Sequence, residues 1–196
     1  MKPYSESCEQ NRAPILEVLQ QEITSQAQSL LEIGSGTGQH AVYFAPRFPK
    51  LNWQTSDVVE NLPGIQMWLD ESASENLPPP LALNVLSQWP SGKYDLIYSA
   101  NTTHIMSWEA VLAMFAGMAG CLNPQGKVVL YGPFNYGGNY TSPSNARFDE
   151  WLKQRDPRSG IRDFDDLNHV AQKNGFSLQR DVAMPANNRI LIWQQT

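Results

Sequence analysis

Residues 32–40 read EIGSGTGQH, three glycines at alternate positions between an apolar run ending at Ile33 and a helical pattern continuing through Phe44. Glycine tolerates left-handed backbone and lets the main chain approach a neighbour with no side chain between them. At a strand-to-helix junction, Gly34, Gly36 and Gly38 therefore predict a sharp turn that a ligand can approach closely. Upstream, QSLLEI at 28–33 supplies the strand, and Ile15, Leu16, Leu19 and Ile23 mark one face of a preceding helix. Downstream, NWQTSD at 52–57, PLALNV at 80–85, YDLIYSA at 94–100 and GKVVLYG at 126–132 read as four further strands. Between them, Pro63 suits the start of one helix, and Ser107 the N-cap of another carrying Val111, Met114, Phe115 and Met118 as its apolar stripe. Alternating strands and helices predict an α/β fold with a largely parallel sheet covered on both faces.

The last third departs from alternation. PFNYGGNYTSPSN at 133–145 is rich in turn formers and reads as a loop, and SNARFDEWL at 144–152 as a helix entered through Ser144. Phe164, Leu167, Val170 and Ala171 mark another helix, which Gly175 ends. GFSLQRDVAM and NRILIW are separated only by Pro185, Ala186 and Asn187, so they can pair only as an antiparallel hairpin. The expected architecture is a doubly wound, mostly parallel seven-stranded sheet with a C-terminal antiparallel hairpin, one domain over residues 1–196.

Composition narrows the function classes. The chain of 196 residues is long enough to bury a core without staples, and no stretch has the apolar length of a membrane span. The polar N-terminus lacks a secretory signal, so a cytoplasmic protein is expected. Cys8 and Cys121 lie far apart without a CxxC pattern, which points away from a disulfide framework or metal cluster. With a net charge of −5 and 14 scattered basic residues, nucleic acid is an unexpected partner and a small molecule a better one.

The spacing GxGxG differs from the nicotinamide fingerprint GxGxxG, whose third glycine would fall at Gln39. It resembles the first motif of class I methyltransferases. That resemblance implies S-adenosylmethionine as cofactor, with Glu32, Gly34, Ser35, Gly36 and Gly38 forming the motif. Asp57, about twenty residues beyond the turn, stands where an acid accepts both ribose hydroxyls, or else ends its strand against water. Asn84, with Val85, takes the place of the acid that often meets the adenine amino group, or simply closes a tight turn. Arg12, with Asn11 and Pro14 leading into the first helix, could neutralise the cofactor's carboxylate or stay at the surface.

SANTTHIMSW at 99–108 leaves the fourth strand, beyond whose carboxyl end ligands of open α/β sheets bind. There Asn101 could hold the cofactor, and His104 could act as a general base near neutral pH or bond to backbone at a helix entry. Asn101 lacks the two prolines and aromatic that follow it in enzymes methylating nucleobases or glutamine. Tyr131, Phe134, Asn135, Tyr136 and Tyr140 could form a lid over a small acceptor, with Tyr131, Asn135 and Tyr140 touching it. Arg162 could hold an anionic acceptor or pair with Asp163 or Asp166. Trp68 and Trp151 read as core anchors. The segments YSESCEQNRAPILEVL, SANTTHIMSW, YGPFNYGG, SNARFDEWL, GIRDFDDLNHVAQKNG and MPANN together resemble bacterial relatives of methyltransferase-like protein 26. That resemblance implies the same fold and names no acceptor. Methyl transfer to a small molecule is the expected function; a non-catalytic sensor of the cofactor is the rival, and a nicotinamide-dependent oxidoreductase a distant third.

Overall fold

Leu30 and Leu31 are neighbours in β1 (Ser29–Ile33), and both are wholly buried because they point to opposite faces of the sheet. Leu30 packs with Ile15, Phe44 and Trp53, whereas Leu31 packs with Val111, Met114 and Phe115. A strand covered on both sides must be apolar at successive positions, which is why these strands read as continuous runs. Each such side chain contributes about 1.5–3 kcal/mol by leaving water. The computed structural model describes residues Met1–Thr196.

Parallel β2 (Asn52–Asp57) and β4 (Tyr94–Ala100) flank β1. The full order is β3 (Leu81–Ala82), β2, β1, β4, β5 (Leu122–Gly132), β9 (Asn188–Gln195) and β8 (Phe176–Met184), with β9 antiparallel to both neighbours. This is the doubly wound sheet with a terminal hairpin that the sequence predicts. One face is covered by α1 (Glu6–Glu22) and α2 (Gln39–Phe44), the other by α4 (Trp108–Cys121) and α6 (Phe164–Lys173). Strand order reverses between β1 and β4, so their outgoing loops diverge and open a crevice at the carboxyl edge. Ser107 caps α4 by accepting from the Ala110 N–H, and Gly175, at φ +80°, ends α6. No helix is long and apolar enough to cross a membrane.

Several expected boundaries move. The third strand shrinks to β3, leaving Asn84 and Val85 in the following turn. Asn11, Arg12 and Pro14 do not precede α1 but lie inside it, and Pro14 leaves the Gln10 carbonyl without its helical donor. The cap of α5 (Pro143–Arg155) is Ser142 rather than Ser144, since Pro143 suits the first helical position. In the segment read as a loop, β6 (Phe134–Asn135) pairs with β7 (Arg162–Asp163), a non-local contact that local turn chemistry does not reveal.

Glu32 lies in the sheet beneath the glycine turn, its carboxylate accepting from Trp53 Nε1 at 2.8 Å. Burial outweighs that bond and pushes Glu32 up to about 7. The folded chain thus keeps a proton that the unfolded chain loses above the ordinary carboxylate range, and stability falls as pH rises from about 4.5 through about 7. Glu32→Gln keeps an acceptor for Trp53 and removes the titration. Thermal melts should show the variant gaining on the native chain as pH rises through that window, at about 1.4 kcal/mol per unit of pKa shift. A difference independent of pH would refute the assignment.

Candidate functional site

The three glycines of the turn have three different surroundings. Gly34, at φ +70°, lies under the loop leaving β4: a Cβ there would come within 2.4 Å of Thr102 Cγ2. Gly38 lets α2 approach α3 (Leu62–Asp70), since a Cβ would meet the Ile65 backbone at 3.3 Å. Gly36, at φ +59°, has nothing within 4 Å of the corresponding position. Of the three, only Gly36 faces open space. Its N–H donates to Asp57 Oδ2 at 2.7 Å, while Asp57 Oδ1 accepts from Val58 N and Asn61 Nδ2. Asp57 thus stands beside the turn, as its spacing predicts, with a carboxylate held by three donors. A shallow pocket of about 230 Å³ lined by Val58, Leu83 and Asn84 follows it.

Ser35 and Glu32 sit deeper. The Ser35 hydroxyl donates to the Glu32 carbonyl and accepts from Ser56 N, which ties the turn to β2. Glu32 has its carboxylate on Trp53, below the turn rather than beside the open space. Asn84 Oδ1 accepts from Leu86 N at 3.0 Å, the tight-turn alternative, and Val85 is part of the core. Arg12 pairs with Glu9 at 2.6 Å and lies over the Tyr43 ring, so its charge already has partners within α1 and α2.

A cavity of about 930 Å³ opens at the same edge of the sheet. Its walls come from α1 (Ser7, Asn11), the loop after β4 (Asn101, His104), the end of β5 (Tyr131), α5 (Phe148, Trp151) and the turn between β8 and β9 (Pro185, Ala186). Asn101 adopts φ +58° and donates its N–H to the Tyr131 carbonyl, which carries the chain from β4 into this wall. His104 is 4 % exposed, edge-on to Phe148 at 5.3 Å between ring centres, and its Nδ1 has no partner. A Cβ at Gly132 would stand 3.7 Å from that nitrogen and 3.9 Å from Asn101 Oδ1, so the bare glycine leaves room between them.

Four expectations need correction. His104 does not titrate near neutrality: burial, then the Arg162 charge, push it down to about 4, so the ring is neutral. Arg162 neither reaches the cavity nor pairs with Asp163 or Asp166. Its guanidinium donates to the backbone carbonyls of Thr103, Met106 and Arg158, stapling the loop after β4 to the segment after α5. The segment after β5 is no lid: Phe134 is buried in the core, Tyr136 donates to Asp181, and Tyr140 donates to Asp149 at 2.6 Å. Asn135 is held in the β6–β7 pairing, and neither it nor Tyr140 lines the cavity. Finally, Trp151 is half exposed and stacks on Phe148, whereas Trp68 donates to the Pro3 carbonyl. Sequence reasoning placed Asn11 before α1 and gave His40 no role although it closes the glycine-rich stretch, because their pairing joins two helices 29 residues apart and leaves no local signature.

Residues 2–195 match the family described as "Protein of unknown function (DUF938)". Among solved structures, the S-adenosylmethionine-dependent methyltransferase SibL in its apo form is similar, with a TM-score of 0.80 and 18% identity over 96% of this chain and 55% of that one. An O-methyltransferase family protein from Burkholderia thailandensis gives 0.82 and 15% identity, covering 94% and 56%. The methyltransferase CalO1 of calicheamicin biosynthesis, solved with SAH bound, gives 0.76 and 14% identity, covering 94% and 54%. These likenesses establish the class I methyltransferase fold. This chain spans little more than half the length of those proteins.

The Gly34 contact yields a double-mutant test. Gly34→Ala should destabilise the fold by about 2–5 kcal/mol, from left-handed backbone strain plus the clash with Thr102. Thr102→Ser removes the clashing methyl and retains a hydroxyl for Ser99. Added to Gly34→Ala, it should recover the clash and leave about 1–2 kcal/mol of strain. Additive losses in denaturant melts would show that the contact is not what excludes a side chain.

Proposed function

The chain belongs to the DUF938 family, whose description assigns no activity, and we propose from the site that it transfers a methyl group from S-adenosylmethionine to a small molecule held in the 930 Å³ cavity. One observation carries this reading. Thr102 touches the glycine turn while Asn101, its neighbour, lines the cavity, so the two candidate sites meet across one peptide at the point where strand order reverses. Within the methyltransferases, the motif segments support kinship with the bacterial relatives of methyltransferase-like protein 26. No feature of the cavity favours the sensor reading, since its walls stand apart rather than filling the acceptor space.

The open face at Gly36 fits a cofactor, and Asp57 beside it supplies carboxylate oxygens for ribose hydroxyls. When bound, S-adenosylmethionine supplies a methyl already activated on a sulfonium. The protein's task is then alignment. Asn101 and Tyr131 orient the acceptor from the sheet edge, and Phe148 covers it. As a neutral ring, His104 accepts a hydrogen bond from the acceptor's O–H or N–H and holds it in place; a proton is stored there poorly, because burial opposes the imidazolium.

Asparagine tolerates left-handed backbone, so Gly36→Asn should fold while placing a side chain in the open space. Calorimetry with S-adenosylhomocysteine should show at least a tenfold loss of affinity; unchanged affinity in the folded variant would sink the cofactor assignment. Asp57→Ala should lose about one to two factors of ten, as expected for charge-assisted hydrogen bonds. Once an acceptor is in hand, turnover should be insensitive to His104 ionisation between pH 6 and 8, since the ring protonates only near 4. A limb near pH 6.5 that vanishes in His104→Gln would contradict the neutral-ring role.

A further inference from the structure

Residues 2–5 lie along α3 before α1 begins, and both ends of this strap are fixed. At one end Pro3 rests on Gly64 of α3, where a Cβ would come within 2.7 Å of Pro3 Cγ. The Pro3 carbonyl accepts from Trp68 Nε1 at 2.7 Å, while Lys2 pairs with Glu71 and sits 3.5 Å over the Trp68 ring. At the other end, the Ser5 N–H donates to Gln39 Oε1 at 2.6 Å, and the Ser5 carbonyl accepts from Gln39 Nε2 at 3.2 Å. A backbone N–H only donates and a carbonyl only accepts, so these two bonds fix which way the Gln39 amide faces. Tyr4 between the anchors is exposed, so the strap is held by its two ends rather than by burial of that ring.

Gln39 opens α2 directly after the glycine turn and is 2 % exposed. Its Oε1 also accepts from the Thr37 hydroxyl at 3.0 Å, and its Nε2 donates to Glu9 Oε1 of α1 at 3.1 Å. Thr37 follows Gly36, the glycine that faces open space. Strap and turn also share a support, since Gly38 packs on the Ile65 backbone, one residue beyond the Gly64 seat of Pro3. The same support reaches Asp57 through Asn61, which immediately precedes α3 and donates to Asp57 Oδ1 at 2.9 Å. Strap, turn, Asp57 and the start of α3 therefore form a closed circuit of contacts beside the Gly36 opening. Ser5 further lines the cavity, so the seated strap borders both candidate sites.

We propose that Gln39 is a positioning residue for the cofactor: by clasping Ser5 it holds the strap against the glycine turn, and a seated strap and bound S-adenosylmethionine favour one another. The proposal rests on reading the turn as the cofactor site. Two substitutions in the full chain unseat the strap at opposite ends. Gly64→Leu places a good helix former in α3 and fills the seat of Pro3 from outside the turn, whereas Gln39→Leu removes the clasp. The Trp68 indole N–H resonance reports release, because it then loses the Pro3 carbonyl. Calorimetry with S-adenosylhomocysteine should show a loss of about fivefold or more in each folded variant. The double variant should lose no more than the larger single loss, since both act through one strap; additive losses would place Gln39 on the turn directly and overturn its role. Coupling is reciprocal, so in the native chain S-adenosylhomocysteine should slow hydrogen exchange at the Ser5 amide by about the factor that Gly64→Leu loses in affinity. That measurement needs no variant. Unchanged affinity in a folded variant whose Trp68 resonance has shifted, or a Ser5 amide indifferent to S-adenosylhomocysteine, overturns the proposal. A native chain that does not bind S-adenosylhomocysteine would sink the cofactor reading and this proposal with it, whereas intact binding with an indifferent strap would sink this proposal alone.

Discussion

The contact of Gly34 with Thr102 is the constraint on which the site depends. Two loops leave the sheet from adjacent strands at the point where the winding reverses, and a missing Cβ lets them touch. From that contact, the glycine turn runs one way to Gly36 and Asp57, and Asn101 runs the other way into the cavity. Arg162 then fixes the remainder of the loop after β4 through two of its backbone carbonyls, those of Thr103 and Met106, and joins it to the segment after α5 through the Arg158 carbonyl. A fully donor-equipped guanidinium spent on main chain buys position rather than charge recognition, which is why a lone arginine near a predicted site reads so ambiguously in sequence.

A second organising feature is the polar layer between α1 and the sheet. Burying Glu32, His40, Asn11 and Tyr98 is costly unless each group finds partners. Trp53 serves Glu32, and His40 links Tyr98 to Asn11. The two buried histidines and the buried glutamate act on stability with opposite signs. A histidine held near 4 leaves the folded state short of a proton below its ordinary value, so acid destabilises it; Glu32 held near 7 makes alkali the destabilising direction. Together the two histidines and Glu32 favour a window around mildly acidic to neutral pH, in which all three groups are largely uncharged.

Much of the fold could be read from sequence because each signal was local. The continuous apolar runs marked two-sided strands, Ser107 and Gly175 marked helix ends, and the three-residue connection forced a hairpin. The same held for the glycine turn and Asp57, whose separation reports two adjacent strand ends. What sequence could not supply was long-range partnership. Tyr140 and Tyr136 look like ligand platforms until Asp149 and Asp181 are brought to them by α5 and β8. His104 has an ordinary-looking pKa until folding removes its water. Trp151 reads as core until α5 is seen to turn it toward the cavity.

The cavity itself is the least local feature of all, since five segments spread from residue 5 to residue 188 share its walls. Such a wall specifies polarity only if each hydrogen-bonding side chain is held in one of its two orientations. An amide or hydroxyl can donate or accept, and a free one would accommodate either kind of ligand. Behind the wall, Asn11 Oδ1 lies 2.7 Å from His40 Nε2 and the Tyr98 hydroxyl 3.2 Å from His40 Nδ1, so one lining side chain is tied to buried polar groups that do not themselves line the cavity. Changes in His40 or Tyr98 therefore reach the cavity wall through Asn11, the residue that both lines it and meets His40.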